Sequence, residues 1–86
     1  MDVFLYFSER LPCGLDEIDD CISEALGERG EVNGSGSGAS GSNIDVEITN
    51  DDVTEDQARK IIREAVAELK LPPSSVVVIN GRELPL

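Results

Sequence analysis

The sequence predicts an α+β fold in which two helices cover one face of an antiparallel sheet. Two segments have the apolar spacing of helices, and others have the short apolar or alternating pattern of strands. Their order is strand, helix, weak strand, strand, helix, strand, which is that of a ferredoxin-like β-α-β-β-α-β sandwich with a short C-terminal hairpin. Because the chain has 86 residues, we expect a single domain, 1–86, with one core.

The first strand and the first helix are predicted from apolar spacing. Residues 3 to 7 carry apolar side chains on both faces, which is typical of an inner strand. The first helix is expected over residues 16 to 26, with Ile18 and Leu26 facing inward. Gly27 is placed to end it in a left-handed turn.

The stretch GEVNGSGSG, which begins at Gly30, supplies the element that the fold otherwise lacks. We predict a weak edge strand over residues 31 to 36 and a turn near residues 38 to 42; a loop without a strand is the alternative. Gly34 and Gly36 alternate with serine, so one face of this strand would carry no side chains. Glycine weakens a strand, and a sheet edge tolerates that weakness best.

The remaining strands have clear signals. Residues 44 to 49 alternate apolar and polar side chains, which predicts a strand with one buried face and one acidic face that carries Asp45 and Glu47. Residues 76 to 79 form an apolar run, and residues 82 to 84 are expected to form a short last strand. Between them lies Asn-Gly, the strongest short signal for a β-hairpin.

The second helix is predicted over residues 55 to 70 from apolar side chains at three- and four-residue spacing. Thr54 and Gln57 have the spacing of a capping box. Two ion pairs are expected on its exposed face, Glu55 with Arg59 and Asp56 with Lys60. In the assembled core we expect five side chains to be buried together: Leu5, Val46, Ile61, Val66 and Val78.

The composition argues against catalysis and against nucleic-acid binding. The chain has 0 histidines and a formal net charge of −11, so the commonest general base is absent and a phosphate backbone is repelled. Cys13 and Cys21 have no basic neighbour to activate them and are expected to be free thiols. The acidic clusters lack the spacing of an EF-hand, and the glycine run lacks the ending of a phosphate loop. We therefore predict a non-enzyme with no metal and no cofactor.

No segment has the length of a signal-peptide core or a membrane span, so we expect a cytoplasmic protein that begins at Met1 and does not contact membranes. Two blocks, residues 16 to 31 and residues 45 to 56, hold 13 of the 18 acidic residues. In the predicted fold they are expected to join into one negative zone that attracts a basic protein. The predicted partner-binding residues are Glu17, Asp20, Glu24, Glu28, Gly34, Gly36, Asp45 and Glu47.

In small size, acidity and α+β pattern, the chain resembles the immunity proteins with which bacteria neutralise their own toxins. The stretches GEVNGSGSG and NIDVEI, with the helix after them, also resemble short bacterial proteins of uncharacterised type. The immunity resemblance implies an inhibitor that binds a basic toxin, often a nuclease, through an acidic surface. An uncharacterised structural domain remains an alternative, and a homodimer is left open.

Residues 11 to 30, LPCGLDEIDDCISEALGERG, carry a second resemblance. Their turn, amphipathic helix and glycine exit are similar to those of the ACT-type amino-acid-binding regulatory modules. The chain departs from that pattern where Cys13 separates Pro12 from Gly14, and where EVNGSGSG replaces an apolar second strand. This resemblance implies ligand contacts from the main chain of residues 13 to 15 at a protomer interface.

Overall fold

The computed structural model describes residues 1–38 and 40–86, which form five strands and two helices. In chain order the elements are β1 (Asp2–Phe7), α1 (Leu15–Leu26), β2 (Gly30–Gly38), β3 (Gly41–Ile48), α2 (Glu55–Val66), β4 (Val76–Ile79) and β5 (Arg82–Pro85). Single 3-10 turns, Gly27–Arg29 and Ala67–Leu69, follow the two helices. The predicted α+β class is confirmed.

The five strands form one sheet in the order β2-β3-β1-β4-β5, and all neighbours are antiparallel. The inner position of β1 and the edge position of β2 beside β3 are as predicted. β2 is longer than expected, and β3 begins at Gly41, so the turn predicted near residues 38 to 42 is shorter. Its residue Ala39 lies outside the described residues.

One face of the sheet is buried under both helices. Strands alternate their side chains between faces, and the inward set of β1, β3 and β4 packs with the apolar stripes of α1 and α2 in one cluster. Its strand members are Val3, Leu5, Phe7, Ile44, Val46, Ile48, Val77 and Ile79. Its helix members are Ile18, Ile22, Leu26, Ala58, Ile62 and Val66. The opposite face, called the open face below, has no helix over it among the described residues.

Two of the five side chains predicted to be buried together lie elsewhere. Leu5, Val46 and Val66 are in the core, but Val78 is half-buried on the open face. The all-apolar β4 has no alternation in its sequence to show which residues turn inward, and the sheet selects Val77 and Ile79. Ile61 is also half-buried, at the margin of the core.

The start of α2 is confirmed in detail, and its end is earlier than predicted. Thr54 Oγ1 accepts from the Gln57 main-chain N–H at 3.2 Å, and Gln57 Oε1 accepts from the Thr54 N–H at 3.0 Å. The helix tightens into a 3-10 turn after Val66, and Lys70 takes a left-handed φ of 53°. The helical segment thus ends at Lys70, before Pro72, which has no N–H with which to continue a helix.

The predicted hairpin is confirmed at its turn. Asn80 and Gly81 have φ angles of 49° and 82°, and both positive values are required by a type I′ turn. β5 pairs along β4 with Leu84 opposite Val77, so the short last strand adds a helix-side apolar residue at the edge of the core.

The two ion pairs predicted along α2 are wrong, since neither is closer than 4 Å. Glu55 and Arg59, the members of the first pair, both bind other groups. Glu55 receives a hydrogen bond from Asn80 at 2.7 Å and pairs with Arg82 at 3.4 Å. Arg59 donates instead to the main-chain oxygen of Pro85, with its Nε at 2.9 Å. These contacts tie α2 to the C-terminal hairpin.

Neighbouring isoleucines of α2 provide a direct test of this packing. Ile62 is fully buried and Ile61 is half-buried, so Ile62→Ala should lower the free energy of unfolding by about 2 to 5 kcal/mol and Ile61→Ala by clearly less. Urea denaturation of the two variants and the parent measures both values. Equal losses, or a larger loss for Ile61→Ala, would contradict the orientation of α2.

Candidate functional site

Four of the predicted partner-binding residues lie on the solvent side of the first helical segment. Its inward side is Ile18, Ile22 and Leu26, all fully buried. On the opposite side the exposed carboxylates are Glu17, Asp20 and Glu24 of α1 and Glu28 of the following 3-10 turn. We call these four residues the α1 acidic face.

Arg29, the basic residue that follows this face, does not neutralise it. Its Nε donates to the Leu26 carbonyl at 3.2 Å, and its Nη2 donates to the Ala25 carbonyl at 2.6 Å. It therefore caps the C-terminal end of α1, where a cation also suits the helix dipole. Within residues 1–38 and 40–86, the ion pair closer than 4 Å is that of Arg82 with Glu55, so the α1 acidic face is uncompensated.

The other four predicted residues lie on the open face of the sheet. Asp45 and Glu47 point away from the core because Ile44, Val46 and Ile48 of the same strand point into it. Gly34 stands opposite Asp45, and Gly36 stands opposite Asn43, so both glycines share the face of Asp45.

A row of carboxylates crosses the open face at one end. Glu47 is opposite Glu31 on β2 and opposite Asp2 on β1, which places three like charges side by side. The Asn33 side-chain amide donates to Glu47 at 3.2 Å and softens the repulsion only in part. In the described part of the chain, His, Cys, Asp and Glu side chains do not gather in threes as a metal ion would require.

The predicted single negative zone is therefore wrong in its geometry. The α1 acidic face lies in the helix layer, and Asp45 and Glu47 lie on the opposite side of the sheet. β2, the strand beside which α1 packs, stands at the edge between the two groups. The sequence gives the charges correctly, but strand alternation distributes them over two faces.

An apolar area on the open face was not among the predicted site residues. Tyr6 is 45% exposed, and Phe4, Val76 and Val78 beside it are half-buried. The signal was present in the sequence, because the inner strand is apolar on both faces while only one face is covered by helices. The open face thus has an apolar half over β1 and β4 and an acidic half over β3 and β2.

Three of the glycines of β2, Gly34, Gly36 and Gly38, lie where a side chain could be accommodated. None of Gly34, Gly36 and Gly38 has a positive φ. A Cβ at Gly34 or Gly38 would meet nothing within 4 Å, and at Gly36 it would make an ordinary contact with Asn43 at 3.4 Å. Gly30 differs, since a Cβ there would lie 2.5 Å from the main-chain oxygen of Glu47.

A depression of about 470 Å³ lies where the loop after β1 meets the β2 and β3 ends. It is lined by Arg10, Cys13 and Leu15 and by the serines of both neighbouring segments. Cys13 and Cys21 are free and half-buried. Burial, and after it the nearby Glu17 carboxylate, raises the pKa of Cys13, so this thiol is a poor nucleophile at neutral pH.

Comparison of the chain with protein-family models, curated proteins and solved structures finds no match. Among the described helices, none is long and apolar enough to cross a membrane.

The open space at Gly34 makes a stability prediction. Gly34→Val should leave the free energy of unfolding unchanged or raise it by about 0.5 kcal/mol, because valine suits a strand and meets no neighbour. The matched control is Gly30→Val, which should destabilise by more than about 1 kcal/mol because its Cβ would collide with main chain. Urea midpoints compare the two, and equal losses would show that Gly34 serves internal packing.

The environment of Cys13 predicts slow thiol chemistry. In a Cys21→Ser background, the pH midpoint for alkylation of Cys13 by iodoacetamide should lie above that of the same chain in urea, because the folded pKa is raised. Glu17→Gln should move the midpoint part of the way back. Identical midpoints in the folded and unfolded chain would contradict the burial of Cys13.

Proposed function

We propose that this protein is a non-catalytic binding domain that inhibits a basic partner, in the manner of bacterial immunity proteins that neutralise basic toxins. The observation that carries the proposal is the uncompensated α1 acidic face. Arg29, the cation best placed to pair with it, is engaged by main-chain carbonyls instead. The charge therefore stays available to another molecule.

An acidic face of this kind mainly changes the rate at which the protein associates with a partner. A surface with several unpaired carboxylates raises the local concentration of a basic protein and speeds its association, while repelling acidic proteins. Repulsion between neighbouring carboxylates costs the isolated domain about a few tenths of a kcal/mol per close pair. A basic partner removes that cost on binding.

The proposal includes a ferredoxin-like arrangement of the domain. The run β2-β3-β1-β4, with a helix after β1 and after β3, supports this assignment. β5 is then an additional strand joined to β4 by the Asn80-Gly81 turn.

A second candidate function, sensing of a small molecule in the manner of ACT-type modules, is favoured by one observation. The depression of about 470 Å³ is lined by Cys13 and Leu15, the segment that this resemblance implies for ligand contacts. Arg10 in its wall suits the carboxylate of an amino acid. A free amino acid that raises the unfolding temperature of the parent but not of Arg10→Ala would support this candidate.

The inhibitor proposal is tested with the protein encoded next to this chain in its native genome, which we expect to contain a toxin-like domain. Co-expression of the chain should restore growth of cells that make that domain. In binding kinetics, the triple variant Asp20→Asn, Glu24→Gln, Glu28→Gln should associate about tenfold more slowly at low salt and show a flatter salt dependence.

A control with the same change in net charge is available on the second helical segment. Asp56, Glu64 and Glu68 are exposed there, and their conversion to amides should leave the association rate close to the parent's. If both triple variants slow association equally, the slowing comes from net charge and the α1 acidic face has no specific role. Absence of protection, or of any toxin-like neighbour, would overturn the proposal.

A further inference from the structure

The two edges of the sheet differ in how they are protected. At the β5 edge, Pro85 has no N–H to offer, and Arg59 donates through both Nε and Nη2 to the Pro85 carbonyl. Arg82 and Glu83 add charges to this short strand. Proline, charge and a covered carbonyl are devices that keep a further strand from pairing.

The β2 edge has almost none of these devices. From Asn33 to the end of β2 at Gly38 the strand contains no charged residue and no proline, in a chain of which 29% is charged. A bulge between Val32 and Gly34 interrupts the register, and the strand beyond it runs regularly to the turn. The side chains along this stretch are hydrogen atoms and exposed serines.

The direction of the free main-chain groups follows from the ladder of β3. Ile48 exchanges both main-chain hydrogen bonds with Met1 on the β1 side, and Thr49 donates to Arg29 on the β2 side. Main-chain groups alternate in direction along an antiparallel strand, so those of Asp45 and Asn43 point to β2. Gly34 and Gly36, their partners, bond inward, and the N–H and C=O groups of Ser35 and Ser37 point outward.

Carboxylates flank this edge on both sides of the sheet. On the open face, Glu31, Asp45 and Glu47 lie along β2 and β3. On the other side, α1 packs beside β2 and carries the α1 acidic face. A strand added to β2 would send alternate side chains to these two sides. On the open face they would lie beside Glu31, Asp45 and Glu47, and on the other side they would lie within the longer-range field of the α1 acidic face.

We propose that the β2 edge binds an extended segment of the basic partner, with lysine or arginine on both of its faces, by strand addition at Ser35 and Ser37. This inference rests on the proposed function and assigns the site at which the partner is held. It places Gly34, Gly36, Asp45 and Glu47 in the interface itself and gives the α1 acidic face the role of attracting the basic segment.

Charge selects a basic segment over a second copy of this chain. Antiparallel pairing of two β2 strands would bring two α1 acidic faces and two open-face carboxylate rows to one edge, between molecules that each have a net charge of −11. The main-chain hydrogen bonds gained along the short neutral stretch, residues 33 to 38, do not offset that repulsion. We therefore expect the free protein to be monomeric.

The first test uses a blocked synthetic peptide of lysine, threonine and valine that has lysines on both faces when extended. Its matched control has the same sequence with all interior main-chain amides N-methylated, which keeps the charge and removes the donors of both strand edges. The parent should bind the control about tenfold more weakly, as expected for the loss of two main-chain hydrogen bonds. Amide chemical-shift changes should centre on residues 33 to 38. Equal binding of the two peptides would overturn the inference.

The second test uses Ser35→Pro, which deletes an outward N–H and leaves the bonds to β3 intact. Its control, Ser35→Ala, retains the N–H. Ser35→Pro should bind the unmodified peptide about tenfold more weakly than Ser35→Ala. Equal affinities would overturn the inference, and so would a parent dimer in sedimentation that Ser35→Pro abolishes.

The outcomes separate this inference from the proposed function. If the parent protects cells from the neighbouring protein, and Ser35→Pro binds that protein as tightly as Ser35→Ala does, strand addition is wrong and the inhibitor function stands. If the peptide preference is found but the parent gives no protection, strand addition stands and the inhibitor function is wrong. The peptide pair needs no protein variant, so a folding defect in Ser35→Pro does not remove the test.

Discussion

The alternation of side chains along β3 is the constraint on which the rest of the structure depends. β3 pairs with β2 on one side and with β1 on the other. The orientation of its side chains therefore determines which residues of both neighbours face the core. Because Ile44, Val46 and Ile48 fill the core, Asp45 and Glu47 must face away from the helices. A shift of one residue would exchange the two faces and expose the core. One strand therefore sets both the apolar packing and the position of the open-face carboxylates.

Two arginines of this protein bind main-chain oxygens and form no close ion pairs with carboxylates of the described residues. Arg29 donates to carbonyls at the end of α1, and Arg59 donates to the carbonyl of Pro85. Arg29 binds at the end of α1 and Arg59 binds at the end of β5, where main-chain oxygens have no partner within their own element. Neither contact neutralises a carboxylate. Neither arginine forms an ion pair within 4 Å with the α1 acidic face, and its carboxylates are left to solvent and to partners.

The features that could be predicted from the sequence are those with local causes. The capping box of α2 involves Thr54 and Gln57, three residues apart, and the hairpin turn involves the adjacent Asn80 and Gly81. The interactions that were missed depend on distant parts of the chain. Arg59 was expected to pair within its own helix, but the Pro85 carbonyl lies 26 residues further on. An exposed ion pair such as Glu55 with Arg59 would contribute little to stability. A hydrogen bond from Arg59 to the Pro85 carbonyl, which has no other partner among the described residues, is therefore preferred.

The same reasoning explains the outcome for the candidate site. Charge counts along the chain locate the acidic clusters in the sequence, but only the parity of each strand shows which face a residue takes. Val78 illustrates the limit, because an all-apolar strand such as β4 contains no alternation that would mark its inward residues. The split of the carboxylates became visible only once α1 was placed on one face of the sheet and the polar side chains of β3 on the other face.

Two destabilising features of the isolated domain meet at the β2 edge. Gly34 and Gly38 have neither a positive φ nor a neighbour that would exclude a side chain, yet each glycine weakens a strand by about 0.5 to 1 kcal/mol. Glu31 directly opposite Glu47 is unfavourable as well, since like charges in cross-strand pairs repel. Neither feature stabilises the fold of the isolated domain. An extended basic segment on the β2 edge would offset both, because its cations would neutralise the carboxylates and its main chain would pair with the weak glycine strand and hold it in place.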